Sequence, residues 1–197
     1  MAETFDDVCE EIARILAEAA SSRKSPMHTP VVATADADAR VMVLRDFDAD
    51  NWTLRFHTDT RAPKAQLIGN GAPVGVLFYD KPGKVQIRAR GTGRIESTGP
   101  VADAAWGASD NFARRCYLGE GPGMVSDAPT SGLPPKFEGV EPTARQLEPG
   151  RSNFSVLLVC LEELDWFTLA HTGHCRALLK RGGEGSESFW QGQWITP

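Results

Sequence analysis

The stretch Arg55–Leu67 reads RFHTDTRAPKAQL. It begins as an alternating strand and ends as a helix. Between them sit an imidazole (His57), two hydroxyls (Thr58, Thr60), a carboxylate (Asp59) and two cations (Arg61, Lys64). That mixture suits the binding of an anion such as a phosphate. Free amides at a helix N-terminus attract negative charge. Thr58 can donate a hydroxyl, and Arg61 and Lys64 can add charge. Thr60 is the expected cap of the helix, and Pro63 is tolerated in its first turn, where a missing N–H matters least. The plainer reading of the same residues is a capped helix with solvated cations.

Two further cations fit the anion reading. Arg40 opens the apolar run RVMVLR and Arg45 closes it, so one strand over 41–47 is expected to carry a guanidinium at each end. The planar fork of arginine donates two parallel hydrogen bonds to a phosphate, although arginines at strand ends are common. A long strand over 84–97 places Val85, Ile87 and Ala89 on one face and Gln86, Arg88 and Arg90 on the other. Arg88 is therefore expected to face the same pocket as Gln86.

The remaining chemistry-bearing residues are weaker signals. His171, His174 and Cys175 suit zinc by type, but no second cluster completes a site, and no metal is expected. The glycines of GTG at 91–93 lack the third glycine and the βαβ context of a dinucleotide fingerprint, and a bulge is expected instead. Arg114 and Arg115 read first as a solvated helix face, with reach across a dimer to a bound cofactor as the alternative. Cys116 has no nearby histidine to activate it. No catalytic acid, base or nucleophile stands out.

These residues need elements to hold them. Residues 3–20 read as an amphipathic helix capped by Thr4, with Phe5, Val8, Ile12, Ile15 and Leu16 at helical spacing. Short strands at 30–35, 41–47 and 52–58 are separated by Asp- and Asn-rich turns, as in an antiparallel meander. The helix PKAQLIGN is expected to end at Asn70-Gly71. Strands at 74–80 and 84–97 flank the turn Lys81-Pro82-Gly83. Residues 100–118 read as one helix anchored by Trp106, Phe112 and Tyr117. Residues 119–151 are rich in Gly and Pro, an excursion long enough to be mobile or functional. NFSVLLVCLEEL, DWFTLA, CRALLKR and SFWQGQWIT follow as four strands. The sum is mainly antiparallel β with flanking helices, most simply a barrel, in a single domain over 1–197.

Composition bounds the partners. With 41% hydrophobic and 24% charged residues, the 197-residue chain is a soluble globular type that can bury its own core. A net charge of −5 with scattered basic residues argues against a general nucleic-acid surface. Cys9, Cys116, Cys160 and Cys175 form no C-x-x-C pair, and Cys160, in an apolar run, is expected to be buried. A reducing cytoplasm fits. The acidic N-terminus lacks the features of a signal peptide, no apolar run reaches membrane-spanning length, and no membrane partner is expected.

In order, the motifs R-V-M-V-L-R, R-F-H-T-D-x-R-x-P-K, L-F-Y-D and K-V-Q-I-R-x-R-G resemble the pyridoxamine 5′-phosphate oxidase family of FMN-binding split-barrel proteins. The resemblance covers residues 30–97 and resumes in DWFTLAHTGHCRALL and the final WITP. It is closer to an oxidase-like branch with FHTD and CYL motifs than to the enzymes of assigned substrate. It implies an antiparallel Greek-key split β-barrel, FMN as cofactor, and a homodimer with the cofactor site at the subunit interface.

Residue by residue, the resemblance implies that Arg40 and Arg45 contact the FMN phosphate and flavin, with Val41, Met42, Val43 and Leu44 passing along the ring. His57 and Thr58 match the family's aromatic-Thr pair, Lys64 its helix-opening lysine, and Gln86 the glutamine at the isoalloxazine edge. Ala62-Pro63 stands where the family carries Ser-Arg, and Arg61 is a possible compensation. Trp166, His174 and Arg176 match the C-terminal Trp and Arg-x-His, and Leu178 replaces a later arginine. The expected activity is FMN-dependent redox chemistry on a small molecule placed beside flavin N5. A flavin-binding protein without turnover, or a relative using F420 or haem, stays open as an alternative.

Overall fold

A computed structural model describes residues 3–169, 173–183 and 189–197. In chain order the elements are α1 (Phe5–Ser21), β1 (Val31–Thr34), β2 (Ala39–Val41), β3 (Leu44–Asp48), β4 (Thr53–Asp59), α2 (Pro63–Ile68), β5 (Ala72–Asp80), β6 (Val85–Glu96), α3 (Pro100–Ala108), α4 (Asn111–Arg114), α5 (Ala144–Leu147), β7 (Phe154–Thr168), β8 (Cys175–Gly182) and β9 (Phe189–Trp194). Short 3-10 turns lie at Arg115–Leu118, Pro135–Phe137 and Glu148–Asn153. The described residues form two compact units, each assembled from several chain segments.

The first unit draws on Met1–Phe56, Gly71–Gly93 and Leu158–Pro197. Its sheet runs β2-β1-β5-β6-β7-β4-β3, with β8 on β7 and β9 on β8. The pairings β1–β2, β1–β5, β3–β4, β5–β6, β7–β8 and β8–β9 are antiparallel. The alternation read from residues 85–89 is what buries Ile87 and Ala89. Phe78, Leu164 and Trp166 are also fully buried. α1 starts at the expected cap: Thr4 Oγ1 accepts from the Asp7 amide, and the Asp7 carboxylate accepts from the Thr4 amide at 2.9 Å. Its buried stripe is Val8, Ile12, Leu16 and Ala19.

Several expectations change here. The run 41–47 is not one strand. It breaks after Val41, because β2 pairs with β1 while β3 pairs with β4. The Met42 amide then bonds the Pro30 carbonyl at 3.0 Å, and the Leu44 amide bonds the His28 carbonyl at 2.9 Å. NFSVLLVCLEEL and DWFTLA are not two strands: Phe154–Thr168 runs through both as one fifteen-residue strand, β7. Its acidic middle is paired across the sheet: Thr92 donates to Glu162 at 2.7 Å, and Arg90 pairs with Glu163. Residues 91–93 form no bulge against β5, since that register is unbroken from Ala72↔Gly93 to Asp80↔Val85. Gly91 is required for another reason: a Cβ there would lie 1.9 Å from the Cys160 carbonyl oxygen. Cys160 itself is half-buried, with its sulfur 3.4 Å from Arg181 Nη1.

The second unit comprises His57–Asn70 and Arg94–Leu157. Its centre is an aromatic group in which His57, Trp106 and Tyr117 each meet the buried Phe154 ring, at centroid distances of 5.0, 5.3 and 5.1 Å. The helix expected over 100–118 is three pieces, interrupted where Ser109 leaves helical geometry and Asp110 caps α4 through the Ala113 amide. Trp106 and Tyr117 pack as expected. Phe112 does not, being 48% exposed with the Arg115 guanidinium over its ring. The excursion 119–151 is tied to itself and to the turn before it. The Glu120 amide bonds the Gly132 carbonyl at 2.8 Å, and Arg115 Nη1 donates to the carbonyls of Phe137 and Val140.

Candidate functional site

The segment from His57 to Lys64 lies wholly in the second unit. Its backbone is zipped to the start of β7: the Thr60 amide donates to the Asn153 carbonyl at 2.8 Å, and Ser155 Oγ donates to the Thr58 carbonyl at 3.2 Å. Thr60 therefore does not cap α2. The N-cap is Ala62, with no side-chain cap bond, and the helix ends at Gly69 (φ +50°) rather than at Asn70-Gly71. α2 has only six residues, so its dipole is short and side chains must supply most of any anion affinity.

One side chain is poised for that role. Thr58 is only 4% exposed, and its Oγ1 is buried without a hydrogen-bond partner. A buried hydroxyl left unmade is costly, and such exceptions need a reason. A phosphate oxygen accepting from Thr58 Oγ1 supplies one, so this segment fits an FMN phosphate. Arg61 is placed differently from expectation. It forks onto the buried Asp59, Nε to Oδ1 at 2.9 Å and Nη2 to Oδ2 at 2.7 Å, and its Nη1 donates to the Gly119 carbonyl at 3.0 Å. The hydrogen bond to Asp59 raises the Arg61 pKa further above its ordinary value. Lys64, at the start of α2, is half-buried.

The other expected residues lie in the first unit. Arg40, on β2, is engaged by its own hairpin: it pairs with Asp38 and donates to Thr34 Oγ1 at 3.0 Å. Val41 beside it is 64% exposed. Met42 and Leu44 are buried, and Val43 is half-buried. Arg45 is exposed at a register shift between Leu44 and Asp46, where the extra residue re-aims a side chain. Gln86 pairs with Tyr79 across β5 and β6 and is partly exposed.

Arg88 and Arg176 are brought together. Both bond the carboxylate of Asp165, which is 3% exposed. Arg176 contributes Nε to Oδ1 at 3.0 Å and Nη2 to Oδ2 at 2.8 Å. Burial pushes the Asp165 pKa up, but the hydrogen bonds and charges of Arg176 and Arg88 outweigh it and hold the carboxyl below the usual range. Asp165 was not singled out from sequence, although its place between two arginine-bearing strands was the available signal. Trp166 is fully buried with its Nε1 unpartnered, a core position. His174 is exposed beside Phe167. His171 lies outside the described residues. Leu178 lines a cavity of about 400 Å³ with Lys180, Gln191, Gly192 and Gln193. Among the described residues no helix is long and apolar enough to cross a membrane.

Residues 10–97 match the family model described as pyridoxamine 5′-phosphate oxidase, FMN-binding domain. A pyridoxine/pyridoxamine 5′-phosphate oxidase of Caulobacter vibrioides is 33% identical over 81 residues, which are 39% of this chain and 36% of that protein. The chain thus aligns with little more than a third of the curated relative. A pyridoxamine 5′-phosphate oxidase-related FMN-binding protein from Nostoc punctiforme has a similar fold (TM-score 0.72, 24% identity), over 95% of this chain and 96% of that one. PhzG from Burkholderia lata, solved with tetrahydrophenazine-1-carboxylic acid, shares the fold over 100% and 98% of the two chains (TM-score 0.66, 14% identity). Residues 10–97 are thus similar in sequence to the FMN-binding domain of pyridoxamine 5′-phosphate oxidase, and the chain shares the split-barrel fold of a related FMN-binding protein.

Proposed function

We propose that this protein is an FMN-dependent oxidoreductase acting on a small molecule, and that the His57–Lys64 segment receives the FMN phosphate. The observation that carries the reading is the buried, unpartnered hydroxyl of Thr58 in the segment that sequence alone marked for an anion. When bound, FMN supplies the redox chemistry. The chain's task is to bind and orient. Thr58 Oγ1 donates to a phosphate oxygen, and Lys64 adds charge. Arg40, Arg45 and Gln86 are assigned further contacts, as the family pattern implies.

The homodimer rests on a separate feature. Val41, Val31 and Leu77 are cross-strand neighbours in one row of the sheet, and Tyr79 follows Leu77 on the same face. Val41, Leu77 and Tyr79 are 64%, 37% and 45% exposed. A row of exposed apolar side chains of this kind suits a second copy of the chain. The four unpaired cysteines support a reducing, cytoplasmic setting.

A second reading has its own observation. Arg88 and Arg176 are both committed to Asp165, and Leu178 carries no charge. A protein that stores or senses flavin without turnover needs no substrate-anchoring cation. Purified protein decides between the readings. Yellow protein whose flavin is bleached by NADH or NADPH and reoxidised by an added acceptor supports the oxidoreductase. Bound flavin that no donor or amine substrate reduces favours the second reading. Colourless protein that takes up no added FMN ends both.

A further inference from the structure

Residues 119–132 form a loop with a closed neck. The Glu120 amide bonds the Gly132 carbonyl at 2.8 Å, and a Cβ on Gly119 would lie 2.8 Å from that same oxygen. Beyond the neck the backbone runs along the start of α2. A Cβ at Gly121 would sit 3.6 Å from Arg61 Cβ, and one at Gly123 3.8 Å from Pro63 Cγ. These are van der Waals distances, so the loop lies on the two residues just before and at the opening of the helix that bears Lys64. Gly123 has φ +88°, a conformation that favours glycine. At the tip Met124 and Val125 are 70% and 94% exposed, so burial of apolar side chains does not hold the loop down.

What holds it is Arg61. Its fork is fixed by the buried Asp59, and the third donor reaches the Gly119 carbonyl at the neck. Asp59 Oδ1 also accepts from the Arg61 amide at 2.8 Å, so side chain and backbone of Arg61 are set by one carboxylate. Of the five guanidinium N–H groups, three are engaged within the protein.

We propose that Asp59 and Arg61 are positioning residues for the flavin phosphate: together they fasten loop 119–132 over the opening of α2, and Arg61 acts through that loop rather than as a phosphate ligand. The inference rests on the phosphate assignment above. Loosening the clasp lets the Arg61–Lys64 turn fray and FMN leave faster.

Asp59→Asn separates the two roles because they predict opposite signs. It removes the charge that holds Arg61 but leaves the guanidinium in place. A ligand arginine so released binds phosphate as well or better, whereas a fastener so released lets go. Arg61→Lys is the second variant, keeping a cation that can reach a phosphate but not the fork. FMN dissociation is followed by flavin fluorescence, and hydrogen exchange is read in 119–132, with circular dichroism checking the fold. The expected result is faster exchange in the loop and FMN release faster by about tenfold in both variants, the size of one lost charge-assisted hydrogen bond. Unchanged or tighter FMN binding in Asp59→Asn overturns the proposal. So does weakened FMN binding with unchanged exchange in 119–132. Wild-type chain that takes up no FMN removes the phosphate assignment itself, and the positioning role with it.

Discussion

The guanidinium of Arg176 lies side-on against the carboxylate of Asp165, with Nε 3.0 Å from Oδ1 and Nη2 2.8 Å from Oδ2. Asp165 is almost fully buried and also bonds Arg88, so one carboxylate bridges cations from β6 and β8. Asp165→Ala leaves two guanidiniums facing each other without it. A fully buried pair broken this way loses about 3–5 kcal/mol. Here both arginines keep partial access to water, so about 2–3 kcal/mol is expected, read as a lower urea midpoint with an unchanged slope.

The same carboxylate sets a pH dependence. Its pKa in the folded protein is lowered, so its contribution is complete above the unfolded carboxylate value and is lost as pH falls through the lower folded one. Urea unfolding of the wild type is expected to show stability falling on acidification below about pH 4. In Asp165→Asn that acid limb should be shallower. Parallel acid limbs for the two proteins would count against the assignment.

Gly91 offers a test of the sheet. A Cβ there meets the backbone carbonyl of Cys160 at 1.9 Å, and no side-chain movement relieves a clash with backbone. Gly91→Ala is expected to lose at least about 3 kcal/mol, as overpacking against an unyielding neighbour does, or to fail to fold. Gly107→Ala is the control. That glycine lies in α3 with open space around it, so alanine should gain about 0.5–1 kcal/mol from helix propensity.

How much of this could be read from sequence depended on whether the deciding contact was local. The cap of α1 was legible because Thr4 and Asp7 are three residues apart. The segment His57–Lys64 could be proposed for an anion because its polar residues are contiguous. The cap of α2 was not, because a residue far along the chain, Asn153, takes the Thr60 amide. The break after Val41 was hidden for the same reason: two different strands compete for one apolar run. The acidic LEELD stretch reads as the boundary between two strands, NFSVLLVCLEEL and DWFTLA. Its partners Arg88, Arg90, Thr92 and Arg176 come from neighbouring strands. Arg61 was assigned to phosphate by charge alone, since the carbonyl it holds lies 58 positions away.

Thr58→Val should move stability and cofactor affinity in opposite directions. Valine keeps the shape and removes a hydroxyl that is buried and unpartnered in the protein as described. Without FMN the variant is expected to be as stable as the wild type or slightly more so, since an unsatisfied group is gone. With FMN it should bind about 10- to 100-fold more weakly, through loss of one hydrogen bond to a charged acceptor. Thermal unfolding with and without FMN measures both. A large loss of stability without FMN would mean that Thr58 has a structural partner instead.

Replacing Arg40 and Lys64 together by alanine tests the cations. Each is worth about 1.5–3 kcal/mol as a hydrogen bond to a charged group, so FMN affinity should fall by two orders of magnitude or more. Arg40 also clasps Asp38 and Thr34 in its own hairpin. That turn is exposed, and losing it should reduce stability by only about 1 kcal/mol. An unchanged FMN dissociation constant in a folded double variant would refute the phosphate assignment for these two residues.

Val41, Leu77 and Tyr79 lie on one face of the strands β2, β1 and β5, and a carboxylate placed among them must be desolvated if another chain covers the row. In a monomer the same carboxylate simply faces water. Leu77→Asp is therefore expected to leave folding intact and convert a dimer to a monomer in light scattering. If FMN is held at that interface, the variant should also release its flavin, whereas Leu67→Asp, at an exposed position on α2, should not change the mass. A Leu77→Asp protein that keeps the wild-type mass at micromolar concentration rules this face out as the interface.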